Sequence, residues 1–124
     1  VHRTNTTVLG EVPNAWDVLC DSGIMVIPLR SGSGMRIKAI EAMAAGRPVV
    51  STSLGMEGIH GENGTHFFIA DDASSFAQRI IDLHHNQRQA QEMGEAARAF
   101  IEAEFSNQAL TQSLVHSIQR IFDL

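Results

Sequence analysis

A short run of small residues followed by basic side chains could bind an anion. The run is Ser31–Gly34, and Arg36 and Lys38 follow it closely. Small residues let the backbone approach an anion, and the first amides of a helix are unpaired donors at the positive end of its dipole. A phosphate or a diphosphate is the ligand that this pattern favours, with Ser33 and Gly34 in contact with it.

One carboxylate, that of Glu41, lies in the same basic part of the chain. On a helix it would stand about 10 Å along the axis from Gly34, at ~1.5 Å per residue. A carboxylate accepts two hydroxyl hydrogen bonds at once, which suits the cis-diol of a ribose. The spacing alone leaves a second interpretation open. The small residues are then only a strand-to-helix turn, and Lys38 with Glu41 is an exposed helix pair worth a few tenths of a kcal/mol.

Other kinds of site fit less well. Ile37 stands where a dinucleotide-binding glycine motif needs its third glycine, and the pattern of a P-loop is absent. The six histidines include no H-x-x-x-H pair, so no metal site is expected. The single cysteine, Cys20, excludes an internal disulfide and is predicted to be a small buried apolar residue.

The elements that would position these residues alternate between strand and helix. Strands are predicted at residues 7–12, 24–29, 48–52 and 66–70, and helices at 15–20, 35–45, 74–85, 87–104 and 107–122. Strands that alternate with helices indicate an open α/β sheet with helices on its faces. Ligands bind such sheets beyond the carboxyl ends of the strands, which is where residues 31–34 would lie.

Composition sets wider limits on function. The 124 residues fit one domain, and the net charge of −5 disfavours nucleic acid as a partner. No window approaches the roughly 20 apolar residues of a membrane span, and the N-terminus has no apolar, signal-like stretch. A cytoplasmic location is therefore expected. The chain begins without methionine, which is typical of a fragment or a processed chain.

Nearly the whole chain resembles a known family of enzymes. The likeness is strongest between Asp21 and Ile59 and is carried by residues 26–30, 32–34, 36–39, 41–44, 48–52 and 55–59. These residues resemble family 4 glycosyltransferases, which are retaining enzymes of the GT-B fold. The resemblance implies a partial Rossmann-like fold, with an open parallel sheet of about four strands and a helical C-terminal half.

The resemblance also implies an activity and its site residues. It implies transfer of a sugar from a UDP- or GDP-linked donor to a glycan or lipid-linked acceptor, without a cofactor or a required metal. Glu41 matches the second of two family glutamates, which binds ribose hydroxyls, whereas Ser33 replaces the first. Arg36 and Lys38 would stabilise the departing diphosphate as catalytic groups. Gly55 and Glu57 lie in a loop that lines the cleft in the family, where Glu57 either contacts substrate or braces the loop.

The domain assignment follows from the same resemblance. Residues 1–124 would be a truncated C-terminal donor-binding domain that lacks the N-terminal acceptor domain and the first strands. In the strand order 3-2-1-4-5-6, residues 7–12 and 24–29 would be strands three and four, and the missing neighbours would leave unpaired edges. We therefore expect an isolated chain to be inactive and to form homodimers through these edges, or to pair residues 7–12 elsewhere. A longer protein could associate peripherally with the inner membrane. The alternative is a non-catalytic nucleotide- or anion-binding module or an assembly module.

Overall fold

The computed structural model describes residues 5–33 and 36–122, without the side chains of residues 107–109, 113 and 122. Its sheet has three parallel strands in the order β1-β2-β3. The strands are β1 (Met25–Ile27), β2 (Val49–Ser51) and β3 (Phe68–Ile69). The helices are α1 (Ala15–Asp21), α2 (Ile37–Ala44), α3 (Ala73–His85), α4 (Gln87–Phe105) and α5 (Asn107–Phe122). The predicted fold class, an open parallel α/β sheet with a helical C-terminal half, is confirmed.

The central strand is covered on both faces. Val49 and Val50 are both fully buried, and they belong to two different core clusters because successive strand residues point to opposite faces. Residues of α2 and α4 pack in the cluster with Val49, and residues of α3 and α4 pack in the cluster with Val50. This double burial explains why Val49 and Val50 of β2 are both apolar, without the alternation of a half-exposed strand.

Helices α2 and α4 approach each other closely where α2 ends. Gly46 follows α2 with a φ of 71°, a left-handed conformation that favours glycine. A Cβ added at Gly94, in the middle of α4, would clash with the carbonyl oxygen of Gly46. The two glycines therefore let the backbones of the α2 terminus and α4 touch.

Helix boundaries follow local signals in the sequence. Asn14 accepts a hydrogen bond from the Trp16 backbone N–H and so caps α1, as expected for an asparagine at the start of a helix. Helix α3 is capped by Asp72, whose carboxylate accepts a hydrogen bond from the Ser75 N–H, and it begins at Ala73, one residue before the predicted start. Helices α4 and α5 cover the predicted residues to within one position. No helix of the described ranges combines the length and hydropathy that a membrane span requires.

Two predictions about the first part of the chain are wrong. Residues 7–12 do not form a strand, and Val8 and Leu9 are exposed at 74% and 60%. A strand needs a neighbour to pair with, and no strand of the described sheet lies beside this segment. Cys20 is exposed, whereas the sequence predicted that it would be buried. It belongs to the short helix α1, in which no residue is fully buried.

Candidate functional site

A groove of about 590 Å³ runs along β1 and past its carboxyl end. Residues 25–29 line one side of it. The other side is formed by Arg36 and the first turn of α2, and Gly55 completes the lining. No side chain caps the first turn of α2 among the described residues, so the amides at the start of this helix keep their capacity to donate. The groove therefore reaches the carboxyl edge of the sheet, near which the sequence predicted an anion site, but none of the described residues of the predicted loop, 31–33, lines it.

Lys38 brings an uncommitted positive charge to the groove. It is an exposed residue of the first turn of α2 and it lines the groove. Within the described part of the chain it has neither a hydrogen bond nor an ion pair. Its ammonium group is thus available to a ligand.

Arg36 also lines the groove, but its charge is committed. The side chain is only 9% exposed, and its Nη2 lies 3.6 Å from the Oε2 of Glu57. Its Nε donates a hydrogen bond of 2.9 Å to the backbone carbonyl oxygen of Leu54. The structure therefore brings together Arg36 and Glu57, which lie in separate segments of the sequence and were not predicted to be in contact.

The loop after β2 is tied to the ends of the neighbouring strands. The Thr52 hydroxyl donates to the Leu29 carbonyl oxygen at 2.6 Å and accepts from the Gly55 N–H at 3.2 Å. On the other side, the backbone N–H and the hydroxyl of Ser53 both donate to the Asp71 carboxylate. These hydrogen bonds hold the pKa of Asp71 below its ordinary value.

Sequence reasoning missed Thr52, Ser53 and Asp71. The signal that could have revealed them is their position, because each lies one or two residues after the end of a strand and therefore at the carboxyl edge of a parallel sheet. Their hydrogen bonds fix the loop of residues 53–57, which borders the groove.

Gly55 is buried beneath the groove because only a residue without a side chain fits there. An added Cβ would clash with the Ser51 hydroxyl oxygen and lie 3.0 Å from Cγ2 of Ile27. Gly55 lines the groove, but its N–H is already bonded to Thr52. Its contribution is to let the loop pack closely on the ends of β1 and β2.

The remaining predicted site residues lie on or near the exposed side of α2. Glu41 is exposed and follows Lys38 by one turn, about 4.5 Å along the axis at ~1.5 Å per residue. The core-facing residues Ala39, Ala42 and Met43 lie on the opposite side, so the Glu41 carboxylate does not face the sheet. Glu41 itself does not line the groove. Ser33 is exposed before the helix, and Gly34 lies outside the described residues.

Comparisons with known proteins match most of the chain. The model of the family described as "Glycosyl transferases group 1" matches residues 1–86. A Klebsiella pneumoniae protein named "Uncharacterized 44.6 kDa protein in cps region" is 32% identical over 91 residues, which cover 73% of this chain and 24% of that protein. The aligned part of the chain thus spans about a quarter of the length of that relative.

Proposed function

Because the chain belongs to the group 1 glycosyl transferases, we propose that it supplies the donor-binding surface for transfer of a sugar from a nucleotide diphosphate to an acceptor. The observation that carries the proposal is the placement of Lys38 beside the groove, on the first turn of α2, where the described residues provide neither a partner for Lys38 nor a side-chain cap for the helix. The acceptor would be a glycan or a lipid-linked sugar, and the donor would carry UDP or GDP.

The diphosphate of the donor would lie at the start of α2. The helix presents its positive end there, and Lys38 adds a full charge. When the bond between sugar and diphosphate breaks, negative charge grows on the departing diphosphate. Donors that are already in position stabilise this charge without reorganising, which is the largest contribution that a protein can make to such a step. Ser33, exposed just before the helix, would contribute its hydroxyl to the same end of the ligand.

The ribose of the donor would lie further along the same helix. Glu41 is exposed on the side of α2 that carries Lys38, so a ligand held at Lys38 can extend toward its carboxylate. The two carboxylate oxygens can accept hydrogen bonds from both hydroxyls of a cis-diol. One helix would then bind both the phosphate and the sugar of the nucleotide.

A thermal-shift titration with UDP-glucose, GDP-mannose and the corresponding 2′-deoxyribonucleotides tests this assignment. We expect a saturable increase in Tm with at least one ribonucleotide, and a much smaller one with its deoxy analogue. Glu41→Gln should reduce the increase for the ribonucleotide to that of the deoxy analogue. The matched control is Glu104→Gln, an exposed carboxylate on α4. No shift with any ligand in the folded wild-type chain would contradict the proposal.

A nucleotide-binding module that transfers no sugar is the second candidate. It is favoured by Ser33, a neutral residue at the position where the resemblance places a glutamate that contacts the donor sugar. The two candidates differ in what the sugar contributes to binding. Equal affinity for UDP and UDP-sugar, or for GDP and GDP-sugar, supports the module, whereas a consistent gain from the sugar supports the transferase.

A further inference from the structure

We infer that Arg36 is a positioning residue, which fastens the loop of residues 53–57 to the start of α2 and so sets the shape of the groove. This inference rests on the proposed function, because it divides the work of the same site between two basic residues. Lys38 supplies the charge that meets the diphosphate. Arg36 holds the start of α2 against the loop that forms the base of the groove.

The contacts of Arg36 all point to the loop. Its Nε donates to the Leu54 carbonyl oxygen at 2.9 Å, and its Nη2 pairs with the Glu57 carboxylate at 3.6 Å. Both partners belong to one turn of chain, and both are far from Arg36 in sequence. A guanidinium carries its donors in a rigid fork, so two contacts to one segment fix its orientation as well as its distance.

Burial argues against Arg36 as a direct ligand. The side chain is 9% exposed, whereas the Glu57 side chain above it is 69% exposed. To reach an anion in the groove, the guanidinium would have to leave the Leu54 carbonyl and separate from Glu57. That movement would break the Arg36 hydrogen bond to the Leu54 carbonyl oxygen, which would keep only the 3.3 Å bond from the Glu57 N–H, and it would separate the ion pair with Glu57.

Arg36 lies at the start of α2, so the contacts of its side chain with the loop also fix the position of the first turn of this helix. Arg36 is the N-cap residue of α2, and its own carbonyl oxygen accepts the first hydrogen bond of the helix, from the Ile40 N–H. Its backbone therefore moves with the amides that face the groove. The loop at the base of the groove is held independently by Thr52 and by Asp71. Among the described residues, the Arg36 side chain joins this loop to the start of α2.

Replacing Glu57 should have opposite effects on ligand affinity if Arg36 positions the loop and if Arg36 binds phosphate directly. If Arg36 bound the diphosphate, Glu57 would compete with it, and Glu57→Gln would free the guanidinium and tighten binding. If Arg36 positions the loop, Glu57→Gln loosens the groove and weakens binding. Titration calorimetry with UDP, GDP and inorganic pyrophosphate measures the difference. The control is Glu62→Gln, which removes another exposed carboxylate from the segment after the loop and corrects for the change in net charge.

A charge-conserving variant gives the second arm of the test. Arg36→Lys keeps the positive charge but loses the fork, so a positioning role predicts nearly the same loss of UDP or GDP affinity as Arg36→Gln. A direct ligand would instead keep the part of the affinity that comes from its charge, so Arg36→Lys would bind UDP or GDP clearly more tightly than Arg36→Gln. Binding that tightens in Glu57→Gln beyond the Glu62→Gln control, or that survives in Arg36→Lys, overturns the inference.

Amide hydrogen exchange without ligand separates this inference from the proposed function. In Arg36→Lys and Glu57→Gln, exchange should accelerate both in residues 53–57 and in the first turn of α2, while the amides of α4 stay protected. This result would support the positioning role even if the wild-type chain bound none of the three probes. Unchanged exchange in both variants would contradict it, whatever the nucleotide titrations show.

Discussion

Replacing Lys38 by glutamine removes the groove's uncommitted charge without changing the length of the side chain greatly. A hydrogen bond to a charged group contributes about 1.5–3 kcal/mol, and the lower end applies because Lys38 is exposed. Since each 1.4 kcal/mol is a factor of ten, Lys38→Gln should weaken binding of UDP or GDP by about tenfold. The affinity for uridine or guanosine should not change, because neither nucleoside carries a phosphate.

Titration calorimetry at two salt concentrations checks this prediction. The Debye length falls from about 10 Å at 0.1 M salt to about 3 Å at 1 M, so the difference between wild type and Lys38→Gln should shrink at high salt. The matched control is Arg88→Gln, which removes an exposed positive charge from α4, away from the groove. An equal loss of affinity for nucleoside and diphosphate, or a loss that is insensitive to salt, would refute the reasoning.

Three further predictions concern the fold that carries the site. Gly94→Ala should lower the free energy of unfolding in urea by about 1–3 kcal/mol, because the clash with Gly46 exceeds the ~1 kcal/mol that alanine gains in helix propensity. The control is Gly23→Ala, where an added Cβ meets nothing, and it should not destabilise the chain. The Ser53 hydrogen bonds lower the pKa of Asp71, so their stabilisation is present at neutral pH and is lost as the pH falls below 3.8 toward the pKa of the folded state. The difference in Tm between wild type and Asp71→Asn should therefore shrink on acidification. Light scattering should detect dimers of the 124-residue chain at high micromolar concentration, because β1 and β3 each have an unpaired edge in the described sheet; a clean monomer would contradict this.

The sequence predicted the helices better than the strands, for a physical reason. Helix signals are local: Asn14 caps α1 and Gly46 ends α2 through contacts with residues a few positions away. A strand depends on its neighbours in space. The segment of residues 7–12 has the composition of a strand, yet no partner lies beside it in the described sheet, and it stays irregular.

The candidate site shows the same division between local and distant information. Lys38 and Glu41 share a helix, so their spacing predicted that both would lie on one exposed side of α2. The contacts of Arg36 with Leu54 and Glu57 cross the loop after β2, and nothing in the sequence between them indicates the pairing. For that reason Arg36 and Lys38 looked equivalent in the sequence, whereas the structure gives them different surroundings.

Helix α2 packs against the core with one side and borders the groove with the other. Its eight residues bury Ala39, Ala42 and Met43 on one side and expose Lys38 and Glu41 on the other. The far end of the helix is fixed by the backbone contact with α4, and the near end by the Arg36 side chain. A helix held at both ends presents its charge and its first amides in one place, and under the proposed function such preorganisation would let a single lysine act on a diphosphate. The proposed donor site would therefore depend on packing at Gly94 as well as on the charge of Lys38.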